Sequence, residues 1–275
     1  GLREEEAELR NRVYSELIDA LSLKERHLSG LLSRGLTRDE IELLKQRGYR
    51  SLPRDAFERF KIARYLAGLF RKELLDVPGF YLTENFQPMF PGFGGGLFIP
   101  VRDYKDRIVG AQVRREESEG GKYVWFSATS RGGISSGTPI HLAIPEGSAT
   151  EEGWERVWLV EGVLKADVCS LKLEEPVIGI PGVSTWKAEE IDSIRLVLGA
   201  RRIVIAFDAD LRENKYVKIQ RDKLADELLA WGADVWIAEW DFQEGKGLDD
   251  LLINGGCPRL RPFRRAPDLS KICLL

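Results

Sequence analysis

Cysteine is scarce in this chain, and the few cysteines are scattered. Three occur among 275 residues, at positions 169, 257 and 273, and none forms a Cys-x-x-Cys pair. This spacing argues against a zinc ribbon and against a disulfide framework. A secretory signal is absent, and so is an apolar stretch long enough to span a bilayer. We therefore expect a reducing, cytoplasmic setting without a membrane partner.

A large excess of one charge is also missing. The chain carries 41 basic and 44 acidic residues, a net charge of −3. Such a balance does not by itself favour nucleic-acid binding, but an acidic metal site would hide basic patches within the sum. Local clusters of charge are therefore more informative, and the length leaves room for two or three subdomains.

Residues 1–76 are predicted to be a helical N-terminal region. Capping-box patterns and glycine stops predict two short helices, Leu23–Arg34 and Arg38–Arg47, followed by a longer helix over about Ser51–Leu75. The short pair is either a plain helical hairpin, which we favour, or a helix-turn-helix. Nine basic residues face only Asp55 and Glu58 between positions 45 and 72, which makes this region a candidate phosphate-backbone surface.

Two apolar runs in the second half of the chain each end in acidic residues. Val157–Val160 is followed by Glu161, and Ile203–Phe207 is followed by Asp208 and Asp210. Such runs, separated by helical segments, are typical of parallel strands buried on both faces, whose carboxyl ends form a ligand-binding edge. Three carboxylates at one edge repel each other unless a cation lies between them. All-oxygen ligands of this kind suit Mg²⁺.

This pattern resembles the toprim domain, which is shared by bacterial-type primases, topoisomerases and some nucleases. The match consists of Glu161-Gly162 after one strand and Asp208-x-Asp210 after a later one. The resemblance implies an α/β fold over residues 151–257, a toprim (Rossmann-like) parallel sheet flanked by helices. It also implies catalytic and metal-binding roles for Glu161, Asp208 and Asp210, with Mg²⁺ or Mn²⁺ as the cofactor.

The acid set differs from that of a bacterial replicative primase in two places. Primases carry a later Asp-Pro-Asp-Glu motif that adds metal ligands. Here Gly247 falls at the first acid of that motif, Asp249 at the second acid and Asp250 at the acid that follows it. Where primases place an Asp four residues after the glutamate, this chain has Lys165. The leaner set favours one Mg²⁺ over two. Lys165 and Lys246 are candidate phosphate contacts.

Residues 77–150 resemble the small α/β subdomain that precedes toprim in the bacterial replicative primase. Strands are predicted over Leu97–Val101, Ile108–Arg114 and Lys122–Phe126. In that family, basic groups of this subdomain line the groove for template and nucleotide phosphates. The matching positions, which the resemblance implies for nucleotide or nucleic-acid binding, are Arg102, Arg114, Lys122 and Tyr123. Residues 258–275 are predicted to be a basic C-terminal tail, either a surface-laid extension or the start of a linker.

The resemblance to primases and toprim covers about residues 77–255. As a whole the chain is most similar to primase-like toprim proteins of plasmids, phages and integrated mobile elements, which also carry a helical N-terminal segment that ends in Gly-Tyr-Arg-Ser-Leu-Pro, here Gly48–Pro53. The resemblance implies a Mg²⁺-dependent nucleotidyltransferase core in DNA replication of such an element. Its implied partners are single-stranded DNA template and nucleotides, with a helicase as a further partner. Two alternatives stay open: a toprim nuclease that cuts DNA or RNA, and a non-catalytic nucleic-acid-binding module of a replication complex.

Overall fold

Side chains that cap first turns fix where several helices of this chain begin. The computed structural model describes residues 2–116, 122–145, 153–209 and 215–264. Thr37 Oγ1 accepts a hydrogen bond from Glu40 N at 3.2 Å, and Glu40 Oε2 accepts one from Thr37 N at 2.8 Å. The early helices are α1 (Glu4–Ala20), α2 (Glu25–Ser33), α3 (Arg38–Gln46) and α4 (Ala56–Phe70), followed by a 3₁₀ helix (Arg71–Asp76).

The chain divides into two units, Gly1–Leu142 and Ala143–Leu275. The domain limits predicted from the sequence, at 76, 150 and 257, stay predictions. Within the described ranges, no helix combines the length and the apolar character needed to cross a membrane.

The helix predicted over about Ser51–Leu75 is shorter than expected. It begins at Ala56 because the Asp55 carboxylate accepts hydrogen bonds from the N–H groups of the first turn. Ser51 lies instead in the short strand β1 (Arg50–Ser51). At the other end Arg71 has a φ of 53°, in the left-handed region, which ends the α-helix before Leu75.

The first unit contains an antiparallel sheet of strand order β1-β4-β5-β6. The predicted strands are confirmed to within about a residue at each end. A small second sheet pairs β2 with β3. The strands after β1 are β2 (Tyr81–Leu82), β3 (Pro88–Met89), β4 (Leu97–Arg102), β5 (Ile108–Arg114) and β6 (Tyr123–Trp125), followed by a 3₁₀ turn (Thr129–Arg131).

An aromatic cluster forms the core of the first unit. Phe126 is fully buried, and its ring lies 5.2 Å from that of Phe98 and 6.2 Å from that of Tyr14, edge to face. Phe80 and Phe90 complete the cluster. Each buried ring of this kind stabilises the fold by roughly 1.5–3 kcal/mol relative to an exposed one.

The second unit is built around a larger sheet of strand order β12-β11-β10-β8-β9-β7. The pairs β8–β9, β8–β10 and β10–β11 are parallel, as the apolar runs predict, and β12 is antiparallel to β11. The strands are β7 (His141–Ala143), β8 (Arg156–Glu161), β9 (Val177–Ile180), β10 (Arg202–Ile205), β11 (Asp234–Glu239) and β12 (Arg259–Pro262). The helices are α5 (Val163–Leu173), α6 (Ala188–Val197), α7 (Lys215–Ala230) and α8 (Leu248–Ile253), with a 3₁₀ turn (Phe242–Glu244).

Strand β12 was not predicted from the sequence. Its residues Arg259–Pro262 fall in the predicted tail but pair with β11 at the edge of the sheet. Arg261 Nε donates to Glu239 Oε1 at 2.8 Å across this pair. Charged side chains and a terminal proline are typical of edge strands, and they hide the apolar alternation by which a strand is recognised.

Candidate active site and nucleic-acid surface

Two acidic side chains lie at the carboxyl edge of the parallel sheet, on neighbouring strands. Glu161 is the last residue of β8. The chain after β10 continues alongside β8, because Ala206 N donates to Leu159 O at 2.9 Å. Asp208 therefore leaves the sheet beside Glu161, at the edge where parallel sheets bind ligands. Asp210, the third acid of the predicted set, lies outside the described residues.

A tight turn joins β8 to α5 and positions Glu161. Gly162 has a φ of 100°, in the left-handed region that favours glycine, and its N–H donates to Ile180 O at 2.8 Å. A Cβ on Gly179 of β9 would lie only 2.8 Å from Gly162 O. The geometry of this turn thus favours glycine at position 162, directly after the acid that ends β8 at the sheet edge.

Lys165, in the first turns of α5, reaches back to this edge. Its Nζ forms a hydrogen-bonded ion pair with Asp208 Oδ1, and the side chains are 16% and 20% exposed. Burial lowers the pKa of the Lys165 ammonium, but the carboxylates of Asp208, Asp249 and Glu161 raise it by more, so the net shift is upward. The side chain therefore stays charged at neutral pH.

The loop before α8 brings further acids to the same edge. Ala209 N donates to Lys246 O at 2.8 Å, which ties this loop to the end of β10. Asp249 is 1% exposed and acts electrostatically on Lys165. Asp250 Oδ2 accepts a hydrogen bond from Gly247 N at 3.3 Å, so this carboxylate caps the start of α8. We call Glu161, Lys165, Asp208 and Asp249 the acid cluster.

The carboxylates of the acid cluster are of the kind that bind Mg²⁺, and the number of ions they would hold stays a prediction. Carboxylate oxygens at one sheet edge are suitable ligands. However, among the residues that the structure describes, no group of three or more acidic, histidine or cysteine side chains is arranged to hold a metal. Gly247 offers no ligand, and a Cβ there would lie 3.0 Å from Lys165 Nζ. The metal-binding roles of Asp249 and Asp250 stay predictions, as does the phosphate contact of Lys246, whose side chain is exposed.

A second charged group lies in the first unit, around the end of β5. Arg114 faces Tyr123 across β5 and β6, and Arg115 N donates to Lys122 O at 2.9 Å. The charge of Arg114, then burial, then the charge of Arg34 lower the pKa of Lys122. Such crowding of cations is typical of a site that receives an anion.

Two arginines add to this group by binding one acid: Arg26 of α2 and Arg54, which precedes α4. Glu116 Oε1 accepts a hydrogen bond from Arg26 Nε at 2.8 Å, and Glu116 Oε2 is bound by Arg54 Nη2. Burial raises the pKa of Glu116, but Arg54 and Arg26 lower it by more, so the net shift is downward. We call this set the basic cluster: Arg26, His27, Arg34, Arg54, Arg114, Glu116 and Lys122.

His27 is the titratable group at the centre of the basic cluster. Its Nδ1 lies 2.6 Å from Ser51 Oγ, and its Nε2 lies 3.4 Å from Glu116 Oε1. Burial, followed by the charge of Arg26, lowers the pKa of His27 to about 4. The ring is therefore neutral at physiological pH, and the cationic character of the cluster comes from its arginines and Lys122.

Arg102 serves a different local purpose from Arg114 and Lys122. Its Nη1 donates to Asp106 O at 2.8 Å and its Nη2 donates to Arg47 O at 2.9 Å. These bonds hold the turn between β4 and β5 and the end of α3. A nucleotide-binding role for Arg102 stays a prediction. Conversely, the sequence reasoning missed Arg26 and Arg34, because no local signal on α2 indicates that it lies beside β5.

The fold is a mixed α/β fold with a toprim-like parallel sheet, and it is similar to the fold of DnaG primase catalytic cores. The chain is similar to a DNA primase domain from Pseudomonas aeruginosa, with a TM-score of 0.67 at 17% identity, covering 92% of this chain and 79% of that one. It is also similar to a DnaG primase catalytic domain bound to single-stranded DNA, with a TM-score of 0.65 at 15% identity, covering 93% and 80%.

A third similar structure is the RNA polymerase domain of the Mycobacterium tuberculosis primase DnaG in complex with double-stranded DNA. Its TM-score is 0.64 at 18% identity, and the match covers 93% of this chain and 78% of that one. Identities this low establish a shared fold. Residues 155–258 match a family described as a domain of unknown function, DUF3854. No curated protein matches the chain.

Proposed function

We propose that this chain is a primase-like nucleotidyltransferase core that acts on single-stranded DNA. The observation that carries the proposal is the placement of Glu161 and Asp208 at one edge of a toprim-like sheet. This sheet belongs to a fold that resembles primase catalytic cores over about nine-tenths of the chain. By the resemblance of the N-terminal segment, the setting is replication of a mobile element, with a helicase as partner.

Glu161, Asp208 and Asp210 would hold one Mg²⁺ or Mn²⁺ ion. When bound, such an ion supplies charge stabilisation for a transferring phosphoryl group. The protein groups orient this chemistry, because Glu161 is fixed by the Gly162 turn and Asp208 by the backbone hydrogen bonds of Ala206 and Ala209 on either side of it. Asp249 is buried, and we assign it an electrostatic role toward Lys165.

The basic cluster is proposed to bind phosphates of the template or of the incoming nucleotide. Arg114 and Lys122 lie at adjoining strand ends, and Tyr123 beside them is 39% exposed, so its ring is open to stacking on a base. Phosphate contacts of this kind position a strand without selecting its sequence.

Primer synthesis on single-stranded DNA with labelled nucleotides tests this function. We expect labelled products from the wild type and a loss of at least about 100-fold in Asp208→Ala, because a ligand of the reacting centre is removed. Glu227→Ala, which removes an exposed acid on α7, is the matched control and keeps full activity. Undiminished synthesis by Asp208→Ala contradicts the proposal. Cleavage of the strand without nucleotides would instead favour a toprim nuclease.

The contact between Lys165 and Asp208 favours a second candidate, a non-catalytic nucleic-acid-binding module. An acid already paired with an ammonium is a weaker metal ligand. This candidate predicts single-stranded DNA binding without primer synthesis and without Mn²⁺ binding by calorimetry. Detectable Mn²⁺ binding that is lost in Asp208→Ala would exclude it.

A further inference from the structure

The acid cluster contains its own cation. The Lys165 ammonium bonds to Asp208, and the carboxylates of Asp249 and Glu161 act on it electrostatically. One carboxylate thus contacts this fixed positive charge, and two more, from other segments of the chain, attract it electrostatically. Lys165 and Asp208 are largely buried, so this attraction is screened less by salt than that of a surface pair.

The space around the ammonium is shaped to hold it. Gly247 has a φ of −104°, which any residue adopts, so its lack of a side chain is not required by the backbone. A Cβ at this position would lie 3.0 Å from both Cε and Nζ of Lys165 and 2.5 Å from Asp249 Oδ1. The lysine side chain therefore uses the volume that a side chain at 247 would take.

We propose that the Lys165 ammonium occupies the acid cluster in place of a divalent ion. Its single charge partly neutralises the carboxylates, and its side chain fills the space that a side chain at 247 would need to approach Asp249. The cluster therefore takes one fewer divalent ion than it would with an acidic residue at 165, and it binds its ion less tightly than it would with a neutral residue there. This inference rests on the proposed function for its biological meaning, but its central statement concerns ion binding alone.

Electron paramagnetic resonance of Mn²⁺ titrated into the full chain tests the inference, with bound ions counted per chain. We expect Lys165→Asp to bind one more Mn²⁺ than the wild type. Lys165→Gln, which preserves size without charge, is expected to bind Mn²⁺ about tenfold more tightly than the wild type. Lys165→Arg keeps the charge and serves as the control, with the stoichiometry of the wild type. Thermal unfolding confirms that each variant is folded, and Lys165→Gln suffices if Lys165→Asp is not.

Equal Mn²⁺ stoichiometry and affinity in the wild type and in Lys165→Gln would overturn the inference. A gain of an ion in Lys165→Arg would also overturn it, as would the absence of Mn²⁺ binding in every variant. Primer synthesis by the wild type is measured separately. If the wild type makes no primer but the variants show the expected change in Mn²⁺ binding, the proposed function is refuted and the inference about Lys165 stands. If the wild type makes primers but Mn²⁺ binding does not change in the variants, the inference is refuted and the proposed function stands.

Discussion

The basic cluster and the acid cluster are opposite in charge but alike in construction. In the first unit, the basic cluster contains five cationic side chains and a single carboxylate, Glu116, which is bound by two of them, Arg26 and Arg54. In the second, three carboxylates attract a single ammonium, Lys165. Each cluster thus carries one internal counter-charge, which reduces the repulsion among like charges that folding brings together.

The two counter-charges, Glu116 and Lys165, differ in how many of the surrounding charges they neutralise. Glu116 is bound by Arg26 and Arg54, whereas Arg114 and Lys122 remain crowded together at the strand ends. Lys165 is instead attracted electrostatically by every acid of its cluster, and its side chain is largely buried. The comparison indicates that the basic cluster keeps its capacity for an anionic ligand, whereas the acid cluster is already partly neutralised by the protein itself.

Removing the crowded cations should give the largest change. We expect the double variant Arg114→Ala/Lys122→Ala to bind single-stranded DNA about 10–30-fold more weakly, with the slope of log affinity against log salt reduced by about 1–2. Fluorescence anisotropy over a salt series measures both. Lys187→Ala/Lys218→Ala, which removes two exposed lysines of the second unit, is the matched control. An equal loss in the two double variants would contradict a specific role for the basic cluster.

Filling the space beside Lys165 should give the next largest change. Gly247→Ala places a Cβ against Lys165 and Asp249, so the free energy of unfolding in urea should fall by about 1–2 kcal/mol. The Lys165→Ala background should reduce this loss. Gly68→Ala is the control, because no atom lies within 4 Å of a Cβ built there. A Gly247→Ala variant as stable as the wild type would show that the space around the ammonium is not tight.

Neutralising the internal acid of the basic cluster should have a smaller effect. Glu116→Gln leaves Arg26 and Arg54 without their carboxylate partner and makes the cluster more positive. We expect the affinity for single-stranded DNA to rise about threefold at low salt, and the difference to shrink as salt is added. Unchanged affinity would mean that the strand does not approach this part of the surface.

His27 should also give the folded chain a pH dependence of stability. Its folded pKa of about 4 lies below the unfolded value of 6.5, so below pH 6.5 the unfolded chain takes up a proton that the folded chain does not. The free energy of unfolding should therefore fall as the pH is lowered from about 6.5 to about 4. His27→Gln should remove this part of the slope in urea titrations. An identical pH profile in the variant would argue against a depressed pKa.

How much of this structure the sequence predicts depends on how local each signal is. The apolar runs that end in Glu161 and Asp208 predict parallel strands correctly, because burial on both faces leaves a continuous pattern. Strand β12 has no such pattern, because an edge strand is charged and partly exposed. The early end of α4 depends on a backbone angle at Arg71, which no propensity indicates.

The candidate site shows the same division. Lys165 was recognised as a departure from the primase pattern, but its ion pair with Asp208 joins residues that are 43 positions apart and appears only in the fold. Likewise, Arg26 and Arg34 join Arg114 through the packing of α2, not through spacing in the chain. Ion pairs between residues far apart in the chain therefore cannot be predicted from the sequence.

Anomalous diffraction from crystals soaked with Mn²⁺ and a nucleoside triphosphate is the most direct test of the proposed metal site and of the role of Lys165. We expect one Mn²⁺ peak at about 2.0–2.5 Å from carboxylate oxygens of Glu161 and Asp208, with the Lys165 ammonium still inside the acid cluster. Two Mn²⁺ peaks, with Lys165 displaced from the acids, would contradict the inference about Lys165. No peak at saturating Mn²⁺ would contradict the proposed nucleotidyltransferase site itself.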